Sequence, residues 1–140
     1  MEKETFMKEA IEDAKKYKHH FGAIVVKGNK IISKAGKRPI GDPRYHAETQ
    51  AILKATNKLK TRNLTGSVLY STCEPCPMCF YMAWITNISK IVFGATLEDS
   101  KNQGFSEIDI TVRELNMRSG NKIEISSGFL RDNCLELFKM

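Results

Sequence analysis

Short apolar, β-branched runs alternate with stretches of helical spacing along the whole of this chain, and that alternation admits few architectures. Phe6, Ala10, Ile11, Ala14 and Tyr17 recur at helical intervals behind Thr5, a residue suited to capping, and predict an amphipathic helix near residues 5–19. Gly22 to Val26 and Ile31-Ile32 flank Gly28-Asn29, the pattern of a β-hairpin. Residues 36–45 hold two prolines and two glycines and read as a loop. Ala47, Ala51, Ile52, Ala55 and Leu59 make the stripe of a second helix, and Val68-Leu69-Tyr70 a strand. Met78 to Thr86 is apolar nearly all round, as a buried helix is, with Asn87 as its stop, and Ile91-Val92-Phe93 is the next strand.

The stretch from Phe105 to Arg118 fits two patterns. Ile108, Ile110 and Val112 alternate as in a strand, whereas Ile108, Val112 and Leu115 fit a helix opened by Ser106 and Asp109, and the helix is preferred. Ile123 and Ile125 mark a last short strand, and Leu130, Cys134, Leu137 and Phe138 a closing helix. Together these elements predict an α/β fold of three layers, α-β-α, with a central sheet of about five strands opened by an antiparallel hairpin.

A chain of 140 residues has the length of one domain, so residues 1–140 are expected to form a single one. Its 41% hydrophobic and 27% charged residues exclude a wholly disordered or fibrous chain. No apolar run approaches the roughly 20 residues of a membrane span, and the opening Met1-Glu2-Lys3-Glu4-Thr5 has acids where a secretory leader is basic and then apolar. The expectation is a soluble, cytoplasmic protein without a membrane partner. A net charge of +6 predicts a mild attraction to polyanions and identifies no ligand.

Of four cysteines, Cys73, Cys76 and Cys79 lie at three-residue intervals and Cys134 stands apart, which suits metal ligation better than a disulfide framework. His46-Ala47-Glu48 opens one predicted helix and Pro75-Cys76-Pro77-Met78-Cys79 another. One imidazole and two thiolates supply three ligands for tetrahedral zinc and leave the fourth position open, as in catalytic rather than structural sites. Cys76 and Cys79, at i and i+3, share the first helical turn, where the positive end of the helix dipole favours thiolates. Pro75 and Pro77 suit a helix start, where a missing N–H is no loss. Glu48, two residues from His46, is placed to shuttle protons for a water in the open position. Taken singly, the cysteine pair also reads as a redox pair or half of a zinc knuckle, and His-x-Glu occurs by chance. The combination, in this order, is the signature of zinc-dependent nucleobase deamination.

His46-Ala47-Glu48 with Leu69-Tyr70-Ser71-Thr72-Cys73-Glu74-Pro75-Cys76-Pro77-Met78-Cys79 resembles the cytidine deaminase-like superfamily, in the branch that holds bacterial guanine deaminases, transfer-RNA adenosine deaminases and fungal cytosine deaminase. The resemblance covers nearly the whole chain. It implies a zinc ion on His46, Cys76 and Cys79, proton transfer by Glu48, replacement of an exocyclic amine by a carbonyl with release of ammonia, and a homodimer or larger homo-oligomer. It also implies that backbone around Ala47 and Cys76 holds substrate and water, and that Glu74 braces the cysteine loop.

For the base, the form of the cysteine motif and the segment Gln103-Gly104-Phe105-Ser106-Glu107-Ile108-Asp109 resemble the guanine deaminases, which assigns Phe105, Glu107 and Asp109 to substrate and favours a guanine-like purine. The competing reading places Phe105 in the core and both acids at a solvated helix start. Arg38-Pro39-Ile40-Gly41 and residues 120–134 look more like the transfer-RNA adenosine deaminases, and cytosine or cytidine remains a further alternative. Lys27, Lys30, Lys34, Lys37, Arg38 and Arg44 form a basic run that suits RNA phosphates or, more simply, a lysine-rich surface. Two departures stand out. The family usually has an asparagine near Lys37, where its amide bonds the base, and a proline ahead of Gly22-Ala23, where this chain has His20-Phe21. Lysine cannot accept a hydrogen bond as an amide does, so Lys37 implies a reshaped pocket.

His19 and His20 are expected to partner the dipole at the end of the first helix, and Trp84 and Cys134 to lie in the core. A non-enzymatic alternative is an inactive zinc-bound RNA-binding module. Glu48 argues against it, and Cys73 as a fourth ligand would argue for it.

Overall fold

Gly28 and Asn29 both take left-handed backbone angles, φ 57° and 61°, and so fold β1 (Ala23–Lys27) tightly back on β2 (Lys30–Lys34). In this computed structural model, which describes residues 2–39 and 41–140, the hairpin forms one edge of a five-stranded sheet ordered β2-β1-β3-β4-β5. Met1, and Ile40 of the predicted loop, lie outside the described residues. β1 runs antiparallel to β2 and to β3 (Val68–Cys73), whereas β3, β4 (Lys90–Ala95) and β5 (Glu124–Ser126) are mutually parallel.

Alternation along β1 divides the core in two, because successive side chains of a strand point to opposite faces. Ala23 and Val25 pack with Ala51, Ile52 and Ala55 of α2 (Ala47–Leu59), Phe80 and Ala83 of α3 (Pro77–Ile85), and Val112 of α5 (Val112–Arg118). Ile24 and Val26 face the other way, onto Met7, Ala10, Ile11 and Ala14 of α1 (Glu4–Lys16), with Cys134 of α6 (Arg131–Leu135) and Leu137 of a closing 3₁₀ turn (Glu136–Lys139). Helices thus cover both faces of the sheet, the three-layer α/β arrangement the alternation of elements predicts.

Three elements differ from expectation. α1 begins at Glu4, with Lys3 at its cap position and Thr5 inside the helix, and it stops at Lys16 because Lys18 turns left-handed (φ 59°). That turn carries His19 and His20 off the helix end: His19 Nε2 accepts from the Arg38 backbone N–H at 3.3 Å, and His20 Nδ1 meets Leu137 O at 2.9 Å. Residues 105–111 are not helical; α5 starts only at Val112, where Thr111 Oγ1 accepts from Glu114 N at 3.2 Å. A short helix, α4 (Leu97–Asn102), is added where Thr96 and Asp99 make a reciprocal capping box. Trp84, expected in the core, is partly buried, stacked on the exposed Tyr81 with Lys122 Nζ 4.6 Å from its ring centre.

Asp99 ties this part of the fold together. Its carboxylate accepts from Thr96 N (2.8 Å) and from Arg131 Nε and Nη2 (2.8 and 2.6 Å), joining the start of α4 to α6. Those donors, Arg131 foremost, hold its pKa down to about 2. A carboxyl whose folded pKa is depressed stabilises fully above its unfolded value and loses that stabilisation as pH falls through the folded value. Asp99→Asn is therefore expected to cost about 1 kcal/mol at pH 7, and the difference in melting temperature from the parent should shrink as pH falls from about 4 toward 2 in a calorimetric series.

Candidate metal centre

The carboxyl ends of β3 and β4 are where ligands settle in open parallel sheets, and two helix starts are aimed there. His46 is the cap residue of α2, and Thr49 Oγ1 donates to His46 O (3.0 Å) and Arg44 O (2.7 Å) at the first turn. Cys76 is the cap residue of α3, Pro77 opens the helix, and Cys79 follows within its first turn. Glu74, just before them, accepts from Leu97 N and Val112 N, both at 2.9 Å, so the cysteine loop is held by the first residues of α4 and α5.

The donor atoms form a nearly equilateral triangle. His46 Nδ1 stands 3.5 Å from Cys76 Sγ and 3.5 Å from Cys79 Sγ, and the sulfurs are 3.5 Å apart. A tetrahedral zinc with bonds of about 2.3 Å to sulfur and about 2.0 Å to nitrogen sets sulfur and nitrogen about 3.5 Å apart and two sulfurs about 3.8 Å apart. The triangle thus has the dimensions of one face of such a site, and its chemistry, one imidazole and two thiols, fits zinc. Electrostatics agree. Contact with the Cys79 sulfur, and next with His46, holds Cys76 down to about 4 against the opposing effect of burial. Cys79 is pushed up, first by that same contact and then by burial. Metal binding requires both sulfurs as thiolates.

Cys73 does not join the set among the described residues: its buried thiol donates to Thr96 O at 3.7 Å, and burial raises its pKa far above the ordinary thiol range. Three ligands from the chain leave one tetrahedral position open. A cavity of about 310 Å³ adjoins it. Glu48 lines that cavity, only 6% exposed, and burial lifts its carboxyl to about 7, with the Cys76 charge adding to the effect.

Of the residues assigned to substrate from the sequence, Ala47, Phe105 and Glu107 line the cavity. Glu107 is half-buried, and burial, then Cys76, raises its pKa. Lys37 and Asp109 are not in the wall. Lys37 is exposed: Gly36, left-handed at φ 67° and tied by its N–H to Asp13 (2.7 Å), directs the next side chain into solvent and the one after, Arg38, inward. An ammonium in the wall would lose its hydration, and the exposed position avoids that. Asp109 sits on a bend closed by Ile110 N donating to Ile108 O (2.8 Å), and its carboxylate turns out to Lys101 at 3.3 Å. The sequence reading also passed over Phe21 and Tyr45 as wall residues; both flank recognised landmarks, the hairpin and His46, which is the signal that could have found them.

Comparison with known proteins supplies the frame for this geometry. Residues 1–95 match the family profile described as the cytidine and deoxycytidylate deaminase zinc-binding region. A tRNA-specific adenosine deaminase of Aquifex aeolicus is 43% identical over 110 residues, covering 74% of this chain and 72% of that protein. A guanine deaminase of Bacillus subtilis is 33% identical over 114 residues, covering 76% of this chain and 73% of that one. A solved guanine deaminase from Nitrosomonas europaea superposes with a TM-score of 0.87 at 23% identity over 99% of this chain and 83% of that one, a likeness of fold.

Elemental analysis of the purified protein is expected to find about one zinc per chain, falling below about a tenth in His46→Ala and Cys76→Ser. Cys73→Ser should leave the content unchanged, whereas loss of zinc there would place Cys73 among the ligands.

Proposed function

This chain belongs to the cytidine and deoxycytidylate deaminase family, whose zinc-binding region it carries, and its reaction is hydrolysis of a C–N bond on a nucleobase or nucleoside; we propose that its substrate is a free guanine-like purine, deaminated in the cytoplasm by a homodimer. His46, Cys76 and Cys79 would hold the zinc, which when bound would supply a Lewis acid that lowers the pKa of water. Glu48 would take one proton of the attacking water and pass it to the ring nitrogen, then take the remaining hydroxyl proton and pass it to the amine, which departs as ammonia and leaves a carbonyl. Glu48 is buried in the cavity wall, where a carboxylate can take and return protons. Phe21 and Phe105, ring centres 4.8 Å apart and edge to face, give the cavity an apolar wall for a flat heterocycle. Ala47 lines the wall beside His46.

One observation carries the purine reading. The strap after α4 brings an aromatic ring, Phe105, and a half-buried carboxylate, Glu107, to the same cavity that holds Glu48, and an acceptor-only carboxylate suits the N–H edge of an amino-oxo purine. The cavity's size suits one small heterocycle. The second reading, adenosine in transfer RNA, is favoured by the 43% identity to the Aquifex protein and by the exposed lysines and Arg44 between residues 27 and 44. The inactive-module reading loses its support because Cys73 stays outside the donor set among the described residues. Support for the homodimer comes from apolar side chains at or near the α3 surface: Met78 and Tyr81 are exposed, Tyr81 by 58%.

Ammonia release by zinc-loaded protein from guanine, cytosine, adenine, their nucleosides and transfer RNA separates these readings. Guanine is expected to turn over, and Glu48→Ala to lower the rate by about 10³-fold or more with zinc retained. Release from transfer RNA alone would replace the purine reading with the editing one.

A further inference from the structure

Phe105 and Glu107 reach the cavity on a strap that the backbone holds only at its ends. Between α4 and α5 it is fastened at its start, where Phe105 N donates to Ser100 O at 3.1 Å, and at its finish, where Val112 N donates to Glu74 at 2.9 Å. In between, Ile110 N turns back on Ile108 O within the strap itself, and the Lys101–Asp109 ion pair is exposed, a kind of contact that holds little. Among the described residues Ser106 and Glu107 make no hydrogen bond to the rest of the fold. A half-buried carboxylate so placed owes its direction to the side chains packed beside it.

Phe105 supplies that packing. Its ring meets Phe21 edge to face at 4.8 Å, His20 at 5.8 Å and Phe138 of the closing 3₁₀ turn at 5.6 Å, while Phe21 and Phe138 stand 5.6 Å from each other. These are separations at which aromatic pairs attract beyond the area they bury. Phe21 and Phe105 line the cavity, and His20 and Phe138 do not. The turn that carries Phe138 is itself fixed, because Leu137 is fully buried against α1 and its carbonyl, which can only accept, takes the His20 Nδ1–H at 2.9 Å. Resting on the deaminase reading above, we infer that Phe138 is a positioning residue for the substrate: from outside the cavity it holds Phe105, and through the strap Glu107, against the flat amino-heterocycle. Phe138 itself touches no substrate. A strap already in place leaves less to be ordered on binding, so the contribution of Phe138 falls on KM and not on kcat.

Two measurements on the zinc-loaded protein test it. With the substrate that releases ammonia fastest, Phe138→Ala is expected to raise KM about 10-fold, with kcat within about 3-fold and zinc content unchanged. In a Phe105→Ala background, where the link is already cut, the same substitution should add less than about 2-fold, because residues acting through one contact are not additive. Without substrate, a glutamyl endopeptidase should cut after Glu107 about 10-fold faster in Phe138→Ala than in the parent, while cutting after the exposed Glu124 of β5 stays the same. Should Phe138→Ala fail to fold by thermal melting, Phe138→Leu, which keeps apolar bulk and loses the ring, carries both comparisons. An unmoved KM, a loss in kcat alone, an equal rise in KM in the Phe105→Ala background, or unchanged cutting after Glu107 overturns the role of Phe138 while leaving deamination intact. Deamination of transfer RNA alone overturns the purine reading, and the same KM comparisons made on that RNA then uphold or overturn Phe138. Zinc-bound protein that releases ammonia from no base, nucleoside or RNA overturns the deaminase reading and this assignment with it.

Discussion

Three side chains separated by up to 33 positions must meet within the span of one metal ion, and the rest of the structure is arranged to allow it. His46 and Cys76 each occupy the cap position of a helix, so their backbones are still extended while the chain beyond them is committed to a fixed helical direction. Parallel pairing of β3 with β4 brings the carboxyl ends of both strands to that spot, and packing of α2 and α3 on one face of the sheet sets the two helix starts side by side. Glu74 then fastens the intervening loop to two further backbone N–H groups. The hydrophobic layers have a plain chemical outcome: a 3.5 Å triangle of donors with its fourth corner toward a cavity.

The same cavity concentrates charge that a stable core would otherwise avoid. Glu48, Glu107 and Arg38 are all withdrawn from water to some degree beside two cysteine sulfurs, and burial is the main cause of the upward shifts of both acids. Each uncompensated group costs folding energy, and the charges of Glu48 and Arg38 offset one another in part. Apolar Phe21 and Phe105 close the wall, so electrostatic contacts made inside act through a medium poorer in water than bulk solvent. Recognition of the ring and activation of water thus draw on one desolvated volume.

Much of this was legible in the sequence because it depends on local rules. The hairpin followed from Gly28-Asn29 and the donor set from the spacing of His46, Cys76 and Cys79; the helix after the cysteines followed from its apolar run, but it is buried on one face only, with Met78 and Tyr81 exposed. What escaped depended on tertiary direction. Lys37 and Arg38 are adjacent in a loop, and which of them faces inward is decided by the left-handed Gly36 and its tie to Asp13, a contact across 23 positions. Asp109 is two residues from Glu107, yet one bend turns it to solvent. The preference for a long helix after Phe105 followed apolar spacing and overlooked Thr111-Val112-Arg113-Glu114, a capping pattern that marks the true start; Thr96-Leu97-Glu98-Asp99 held the same kind of signal for α4.

The central claim is that the chain supplies three ligands and leaves the fourth place to water, and X-ray absorption at the zinc edge of the loaded protein reads it directly. The account predicts a shell of two sulfurs at about 2.3 Å and two lighter atoms at about 2.0 Å, one of them exchangeable for an added anion. A shell of three sulfurs, with Cys73 drawn in, would contradict it, because a closed site has no place for the reacting water.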